Sequence, residues 1–379
     1  MDTTQKIQHP ASSTQHRRTG FTLVELLVVI TIIGILASLI TVAAVGALRK
    51  ARETEIKVEI DQMATAIEEY KNKSTSYPPN CQTDGSGEPL DETAILNDLK
   101  RHMKQAFPRH QESPELIARL AGLATTGSQL PGGQGLQGGM TAGEAIVFWL
   151  GGFSSDPKFP ISGEGGPSYS IANVSAGDRA KADPIETRKW VFPFAVGRLA
   201  PRDADGYFDE STDRFIEFTD SKGILRRINF WQYLPRKSEQ PYLYFDTSRH
   251  PAAVRIGSDV VGLFDPPAAT ELTGLGPDGM GLHVHALKKL HPNYTPSGTI
   301  QPIEFVNPEK FQVLYCGTDE EWDEEAFERM SAHAVKDELG LDATDPANYL
   351  LFPDGPFIGE IADTIVNFAP ETRIEDAQP

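Results

Sequence analysis

Residues 20–48 of the chain have the sequence GFTLVELLVVITIIGILASLITVAAVGAL, and this stretch decides the fold. From Leu26 to Leu48 no side chain is charged. At about 1.5 Å of rise per residue, these residues form roughly 34 Å of helix, which is enough to cross the hydrocarbon core of a bilayer. The stretch therefore predicts a membrane-spanning helix near the start of the sequence.

Glu25 places a carboxylate near the start of this otherwise apolar span. An unpaired charge at bilayer depth costs at least about 2.5 kcal/mol on insertion scales, so an opposite charge should compensate it. A cut between Gly20 and Phe21 would create a free α-amino group four residues from Glu25. Because this amine has a pKa near about 8, it would supply the positive charge that the carboxylate needs.

Two simpler interpretations of the same span stay open. One is an ordinary secretory signal cut at the small-residue site Ala44-Val45-Gly46, although its apolar region would be longer than the usual range of about 7–15 residues. The other is an uncleaved signal-anchor in which the Glu25 side chain reaches the lipid headgroups. Cleavage between Gly20 and Phe21 is the interpretation that accounts for the position of Glu25.

At these residues the sequence resembles the superfamily of type IV pilins and type II secretion pseudopilins. Precursors in that superfamily carry a short basic leader, a Gly–Phe junction and a Glu at the fifth mature position, which Gly20, Phe21 and Glu25 match. The resemblance implies that a prepilin peptidase cleaves after Gly20 and N-methylates Phe21. It also implies a single-pass protein of the inner membrane, with its N-terminus in the cytoplasm and its head in the periplasm.

Helical order is predicted to continue past the membrane span, because no Pro or Gly occurs between Ala47 and Ser76. Apolar side chains then recur at alternating steps of four and three residues, which lines one face of a helix. These side chains belong to Ile56, Ile60, Met63, Ile67 and Tyr70. The helix is expected to run from about Phe21 to Lys73 and to pack against the chain's own head, with a coiled coil to another subunit as the alternative.

The rest of the chain predicts an α+β head. Two short helices, broken at Pro108 and Pro114, are expected in 91–122, and a third is expected over Thr141–Leu150. A long surface excursion is expected over 154–189. Runs rich in β-branched and aromatic residues predict an antiparallel sheet facing the helix. These runs cover 190–199, 215–218, 224–233, 242–245, 254–264 and 311–316.

The predicted organisation is therefore pilin-like, with a long N-terminal helix packed against a globular head. A basic leader covers 1–20, and the transmembrane part of the helix covers 21–48. The amphipathic continuation of the helix covers 49–75, and the exported head with long loops covers 76–379.

Composition and missing motifs argue against two classes of function. With 35 Lys and Arg against 53 Asp and Glu, the formal net charge of −18 disfavours a surface that neutralises nucleic-acid phosphates. Neither Gly-x-Ser-x-Gly nor His-Glu-x-x-His occurs in the chain. His283-x-His285 and His291 have ligand-like side chains, but no nearby Cys or carboxylate completes a tetrahedral metal site. No enzymatic activity is therefore expected.

Two acidic clusters are candidates for binding a cation. Asp203-x-Asp205-Gly206, with Asp209, offers hard oxygen ligands of the kind that Ca²⁺ prefers, and is equally typical of a solvated hairpin turn. The second cluster is identified through the resemblance to pseudopilins. Residues 311–319 resemble the aromatic strand and Gly-x-Asp turn near the C-terminus of major pseudopilins, and residues 362–368 resemble their closing strand.

In that family the loop between these two elements binds calcium. The resemblance assigns Asp319 and Asp363 to the matching positions, with Asp323 as a nearby candidate ligand. The chain departs from the family pattern at Glu320, where the family has a glycine, and in a longer stretch between the turn and the strand. Calcium is thus the one cofactor that the resemblance implies.

Cys81 and Cys316 are the two cysteines of the chain. In an oxidising exported compartment, one disulfide would tie the two ends of the head together. Two buried, unpaired thiols fit the sequence equally well. Both alternatives stay open.

The predicted function is a pilin-like subunit that assembles through its N-terminal helix into a type II secretion pseudopilus or a type IV pilus. Its expected partners are the prepilin peptidase, other pilin or pseudopilin subunits and the inner-membrane assembly platform. The large head keeps two alternatives open. One is a minor, tip or binding subunit of such a filament, and the other is an exported protein, such as a hydrolase, that uses a pilin-type anchor.

Overall fold

The computed structural model describes most of the chain, with gaps in the loops. The described residues are 21–79, 92–121, 140–210, 214–248, 254–256, 259–261, 272–275, 281–282, 284, 286–295, 303–322 and 346–378. The predictions that concern the leader 1–20 with Gly20, Cys81, Asp323, His283 and His285 lie outside these residues. The chain divides into two compact units, 1–51 and 52–379, which are described separately below.

The first helix, α1, spans Leu23–Ser74 and confirms the predicted long N-terminal helix. Thr75 follows it with a left-handed φ of 70°. Pro78 and Pro79 then prevent any continuation, because proline lacks the backbone N–H and forces the preceding residue out of the helical region. The local signals in the sequence therefore define the end of α1.

The second unit has a core that includes the predicted apolar stripe of α1. Ile60, Met63 and Ile67 are fully buried, and Ile56 and Tyr70 nearly so. They belong to the same cluster of buried side chains as Ile146 and Trp149 of the head. Of the two predicted arrangements for the stripe, the structure has the one in which it packs against the chain's own head.

Three short helices follow, α2 at Glu92–Ala106, α3 at Pro114–Leu120 and α4 at Ala142–Leu150. Pro114 begins α3 rather than breaking a helix, because the first helical position has no need of an N–H donor. Thr141 and Glu144 form a capping box at the start of α4, with Thr141 N donating to Glu144 Oε2 at 2.9 Å and Glu144 N donating to Thr141 Oγ1 at 3.2 Å.

The strands of the head are short, and every described pairing is antiparallel, which agrees with the α+β prediction. The strands are β1 Tyr169–Ser170, β2 Leu199–Ala200, β3 Phe215–Thr219, β4 Leu225–Asn229, β5 Gln232–Tyr233, β6 Leu243–Phe245, β7 Val254–Ile256, β8 Asp259–Val261, β9 Leu272–Leu275, β10 Gly281–Leu282, β11 Lys288–Leu290, β12 Ile303–Phe305, β13 Gln312–Tyr315 and β14 Ile365–Val366.

These strands form several small sheets rather than the one sheet that was predicted. Two sheets are three-stranded, in the orders β1-β4-β3 and β14-β13-β6, and the remaining described strands pair in twos. In the predicted run 190–199, only Leu199 lies in a strand. Pro193 has no N–H for a sheet, and the chain turns at Val196–Arg198.

The predicted surface excursion at 154–189 is wrong in part, because the segment contributes to the core. Ile161 and Ile171 are buried, and β1 adds to the edge of β4. The buried carboxylate of Glu112 satisfies the backbone of this segment, since Glu112 Oε1 accepts hydrogen bonds from the N–H groups of Ile161 at 2.6 Å and Ser162 at 2.9 Å. These bonds allow a loop without regular structure to enter the interior.

A cluster of four polar residues, which we call the Glu59 cluster, joins α1 to the strands of the head. Glu59 Oε1 accepts from Arg198 Nη1 at 2.8 Å and from the Tyr233 hydroxyl at 3.1 Å. Glu59 Oε2 accepts from Arg198 Nη2 at 2.6 Å and from the Tyr242 hydroxyl at 2.5 Å. Both carboxylate oxygens are thus hydrogen-bonded, and the cluster fixes the rotation of this part of α1 relative to β5 and β6.

The sheet β14-β13-β6 positions the predicted calcium turn. Strand β13 pairs with β6 on one edge and with β14 on the other. Since β13 and β14 are antiparallel, the residues after β13 lie beside the residues before β14. The topology therefore brings the turn at 317–320 next to Asp363.

Candidate functional site

The first candidate site is the start of α1, where Glu25 takes part in a capping box with Thr22. The Glu25 Oε2 atom accepts hydrogen bonds from the backbone N–H and the hydroxyl of Thr22, both at 2.8 Å. In return, Glu25 N donates to Thr22 Oγ1 at 3.2 Å. The carboxylate is therefore held at the N-terminus of the helix, where it also complements the helix dipole.

Thr22 is a residue that the sequence-based prediction missed. A Ser or Thr followed three residues later by Glu, just before an apolar run, is a known signature of a helix start. The pattern Thr22-x-x-Glu25 has this spacing. It explains why α1 begins at Leu23 rather than at Phe21.

The apolar side chains of α1 in the first unit are exposed. The large hydrophobic residues between Leu23 and Leu48 have between 44% and 80% of their surface accessible. This part of α1 is long and apolar enough to cross a membrane, judged by length and composition. Its hydroxyl groups donate back to the helix, as Thr31 Oγ1 does to the Leu27 carbonyl and Thr41 Oγ1 to the Ala37 carbonyl, both at 2.8 Å. These bonds suit a helix surrounded by lipid or by other helices, because polar groups there find no water.

The second candidate site is the acidic turn, by which we mean residues 317–320 together with Asp363. Asp363 Oδ2 accepts hydrogen bonds from the backbone N–H of Thr318 at 2.9 Å and from its hydroxyl at 3.3 Å. Asp319 Oδ1 accepts from Glu321 N at 3.2 Å. The structure thus brings Asp319 and Asp363 to the same turn, whereas Asp323 lies outside the described residues.

Gly317 is the residue that allows Asp363 to approach the turn. Its φ of 113° is one that side-chain-bearing residues rarely adopt, and a Cβ at this position would lie 1.9 Å from Asp363 Oδ1. The Asp363 carboxylate therefore occupies the space that any other residue at position 317 would need for its side chain.

The acidic turn is the place where the resemblance predicts calcium. Ca²⁺ takes six to eight oxygen ligands. In the structure Asp319, Glu320 and Asp363 each accept a hydrogen bond from a backbone N–H group of the protein. Among the residues that the structure describes, no group of three or more Asp, Glu, His or Cys side chains is placed to hold a metal. Calcium binding at this turn stays a prediction from the resemblance.

The first acidic cluster forms a turn. Asp203 Oδ1 accepts hydrogen bonds from the backbone N–H groups of Asp205 at 3.0 Å and Tyr207 at 2.8 Å, and Asp205 is exposed. Such Asx-turn bonds are typical of a solvated hairpin. This geometry agrees with the second of the two interpretations of this cluster.

Cys316 follows β13 directly and is a fully buried free thiol. Burial, together with the nearby carboxylates of Asp319 and Asp363, raises the pKa of this thiol. A thiol of this kind is a poor nucleophile, because the thiolate is the reactive form. Of the two alternatives for the cysteines, the structure has the buried, unpaired thiol at Cys316, whereas Cys81 lies outside the described residues.

Comparisons with known proteins concern the N-terminal region. Residues 15–41 match the model of the prokaryotic N-terminal methylation motif. The chain is 35% identical over 68 residues to the type II secretion system core protein G of Pseudomonas aeruginosa, which covers 18% of this chain and 48% of that protein. The protein of the same name from Aeromonas hydrophila is 39% identical over 64 residues, or 17% of this chain and 45% of that protein.

The core protein G of Vibrio cholerae is similar to the same extent, with 36% identity over 66 residues, which are 17% of this chain and 45% of that protein. The chain therefore spans about half the length of the curated relatives it matches. No solved structure matches the chain. The N-terminal region thus carries the prepilin-type methylation motif and is homologous to type II secretion core protein G, as the residues around Gly20, Phe21 and Glu25 predicted.

Proposed function

We propose that the chain is a pilin-like subunit that α1 anchors in the inner membrane and that assembles through α1 into a type II secretion pseudopilus. The observation that carries this proposal is an exposed apolar helix whose first turn holds one carboxylate, in a region homologous to core protein G. Such a surface needs lipid or other helices around it, since large exposed apolar patches are unstable in water. A bundle of identical helices in a filament covers it equally well.

Processing is the first step of this proposal. Prepilin peptidase cleaves between Gly20 and Phe21 on the cytoplasmic side and methylates the new amine, and the head remains on the periplasmic side. The support for this step is the methylation motif at residues 15–41. Cleavage also removes the polar leader that would otherwise prevent the start of α1 from packing among other helices.

In the filament, Glu25 neutralises the amine of Phe21 of a neighbouring subunit. A carboxylate within an apolar bundle is costly unless an opposite charge pairs with it. The capping box with Thr22 orients the carboxylate at the N-terminal end of α1, which is the end where the amines of cleaved neighbours lie. Glu25 is thus an assembly residue, and Thr22 positions it.

A minor, tip or binding subunit is the second candidate. The match to each core protein G covers at most 19% of this chain, so most of the head has no counterpart in these relatives. A head of this size suits a subunit present in few copies per filament. The two candidates differ in the expected abundance of this chain in purified filaments. A major subunit outnumbers the other pseudopilins there, whereas a minor subunit is present in few copies.

Substitution of Glu25 by Gln is expected to leave membrane insertion intact and to abolish incorporation into filaments. Gln still accepts the Thr22 hydrogen bonds of a capping box, so α1 keeps its first turn while the charge is lost. The neutral side chain also removes the cost of about 2.5 kcal/mol or more of a charge in the bilayer. The measurement compares the amount of each variant in the membrane fraction and in sheared filaments.

Glu69→Gln is the matched control, because it removes a carboxylate from an exposed position of the same helix. This variant should enter filaments at the wild-type level. If Glu25→Gln also entered filaments at that level, pairing between Glu25 and a neighbouring amine would be excluded as the basis of assembly.

A further inference from the structure

The surface of the head around Gln111 is basic, although the chain as a whole is acidic. Gln111 N donates to the Lys158 carbonyl at 2.6 Å, and Ser221 Oγ donates to the Gln111 carbonyl at 2.9 Å. These bonds hold together three segments that are far apart in the sequence. The segments are 97–111, 154–162 and 219–223.

The exposed charged side chains of these three segments are almost all basic. The exposed basic residues are Lys100, Arg101, Lys104, Arg109, Lys158 and Lys222, and the exposed acidic residue is Asp156. At the overall ratio of 53 acidic to 35 basic residues, about four of these seven side chains would be acidic. The other two carboxylates of the segments, Asp98 and Asp220, are buried, and they pair with Arg101 at 3.0 Å and with Arg226 at 2.6 Å.

The exposed basic residues other than Arg101 form a surface that we call the basic patch. Its members are Lys100, Lys104, Arg109, Lys158 and Lys222. Arg101 is left out because it pairs with Asp98 of its own helix.

Helix α2, which carries two lysines of the basic patch, is fixed to the end of α1. The imidazole of His102 is fully buried, with its Nε2 atom 2.7 Å from the Tyr70 hydroxyl of α1 and its Nδ1 atom 2.9 Å from Ser76 Oγ. Lys100 and Lys104 are four residues apart and therefore share one face of α2. A partner would thus meet charges on a rigid element, which lowers the entropic cost of binding.

A second copy of this chain is a partner of suitable charge. Outside the basic patch, a copy has 30 basic residues against 53 acidic ones, so its other faces are acidic on average. The basic patch cannot face the basic patch of another copy, because like charges repel. The contact must therefore join different faces of two copies, and contacts of this kind continue into an open filament unless they close into a ring.

We propose that the basic patch of one copy binds an acidic face of the next copy in the filament. The proposal rests on the proposed function, because α1 must bring the copies side by side before their heads can meet. It adds a contact between heads to the contact between helices. Since the charges of the basic patch are exposed, this contact is electrostatic and weakens as the salt concentration rises.

The test reverses the charge of three lysines of the basic patch in the full chain, in the variant Lys100→Glu/Lys104→Glu/Lys222→Glu. This variant should be processed and inserted like the wild type, but its amount in sheared filaments should fall at least about tenfold, because acidic faces now repel each other. The matched control is Lys181→Glu/Lys189→Glu/Lys310→Glu, which makes the same change of charge at exposed lysines outside the basic patch. The control should enter filaments near the wild-type level.

Cross-linking identifies what the basic patch contacts. A carbodiimide joins a lysine amine directly to a carboxylate, and mass spectrometry identifies the linked peptides in sheared filaments and in the dilute chain in detergent. The lysines of the basic patch should be linked to Asp or Glu of this chain in filaments only, because such links join two copies. The same links in the dilute chain would show that the chain's own carboxylates cover the basic patch, and would overturn the proposal. Links to peptides of another protein instead would overturn it as well.

The filament measurement separates this contact from the proposed function. A wild-type chain that is missing from filaments would overturn both. If the wild type and the basic-patch variant entered filaments equally, the contact between heads would be wrong, whereas assembly through α1 would stand. An equal loss of the basic-patch variant and its control would also overturn the contact, since net charge alone would then explain the loss.

Discussion

Replacement of Glu59 by Leu is expected to lower the free energy of unfolding by about 2–4 kcal/mol, somewhat less than the roughly 3–5 kcal/mol of a fully buried ion pair, because this pair is partly exposed. The substitution leaves the guanidinium of Arg198 without its carboxylate while its side chain stays 17% exposed. It also leaves the hydroxyls of Tyr233 and Tyr242 without the acceptor that they share. Leu fills the volume of the lost side chain but accepts no hydrogen bond.

The protonation states in the Glu59 cluster support this expectation. Burial alone would raise the pKa of Glu59, but hydrogen bonds from Arg198 and Tyr242 outweigh burial and lower it. Burial and the charge of Glu59 raise the pKa of Tyr233 to about 12, so its hydroxyl stays a neutral donor. At neutral pH the cluster therefore consists of one anion, one cation and two hydroxyl donors.

The lowered pKa of Glu59 determines how the stability contributed by this side chain changes with pH. A carboxylate whose pKa is lower in the folded than in the unfolded chain stabilises the fold above the unfolded value, near 4.5. This contribution is lost as the pH falls through the folded pKa. The difference in stability between the wild type and Glu59→Leu should therefore be largest near neutral pH and should shrink below 4.5.

The measurement is urea-induced unfolding of the full chain in detergent at pH 7 and at pH 4. Glu55→Leu is the matched control, because Glu55 lies one helical turn earlier, is 57% exposed and pairs with an exposed arginine. Its effect should stay within about 0.5 kcal/mol. A Glu59→Leu protein within about 1 kcal/mol of the wild type at pH 7 would show that the cluster does not hold α1 to the head.

Substitution of Gly317 by Ala is expected to destabilise the head by about 2–5 kcal/mol. Two costs add at this position, the strain of a side chain at a φ of 113° and the collision of a Cβ with the Asp363 carboxylate. To relieve the collision, Asp363 must move away, which breaks its hydrogen bonds to Thr318. The acidic turn would then lose its contact with the start of β14.

Gly206→Ala separates these two costs. Gly206 also has a positive φ, of 85°, but a Cβ there would have no atom within 4 Å. This control should show the backbone strain alone, on the order of 1–2 kcal/mol. The measurement is again urea-induced unfolding of the full chain in detergent. An equal loss of unfolding free energy in the two variants would contradict the close packing of Asp363 against Gly317.

Predictions from the sequence succeeded where the determining signals are local. The uncharged span, the four-and-three spacing of Ile56 to Tyr70 and the proline pair at 78–79 define α1 within a few neighbouring residues. The capping box of Thr22 and Glu25 is equally local, and its spacing could have been recognised. Pro114 at the first position of α3 is a second local signal of a helix start.

The interactions that hold the head together could not be predicted, because their partners are far apart in the chain. The contact between Tyr242 and Glu59 spans 183 positions, and the contact between Arg52 and Glu320 spans 268. Runs rich in β-branched and aromatic residues identified more than half of the described strands, but such runs carry no information about which strands pair. The division into several small sheets therefore appears only in the structure.

If this chain is processed as a pilin-like subunit, the mass of its mature N-terminal peptide must show cleavage after Gly20. The chain is produced with and without an active prepilin peptidase, and the N-terminal peptide is identified by mass spectrometry. With the peptidase, we expect a peptide that begins at N-methylated Phe21, and without it an intact leader. A leader that stays intact beside the active peptidase, or a peptide that begins at Ala47, would show that the chain is not processed as a pilin-like subunit.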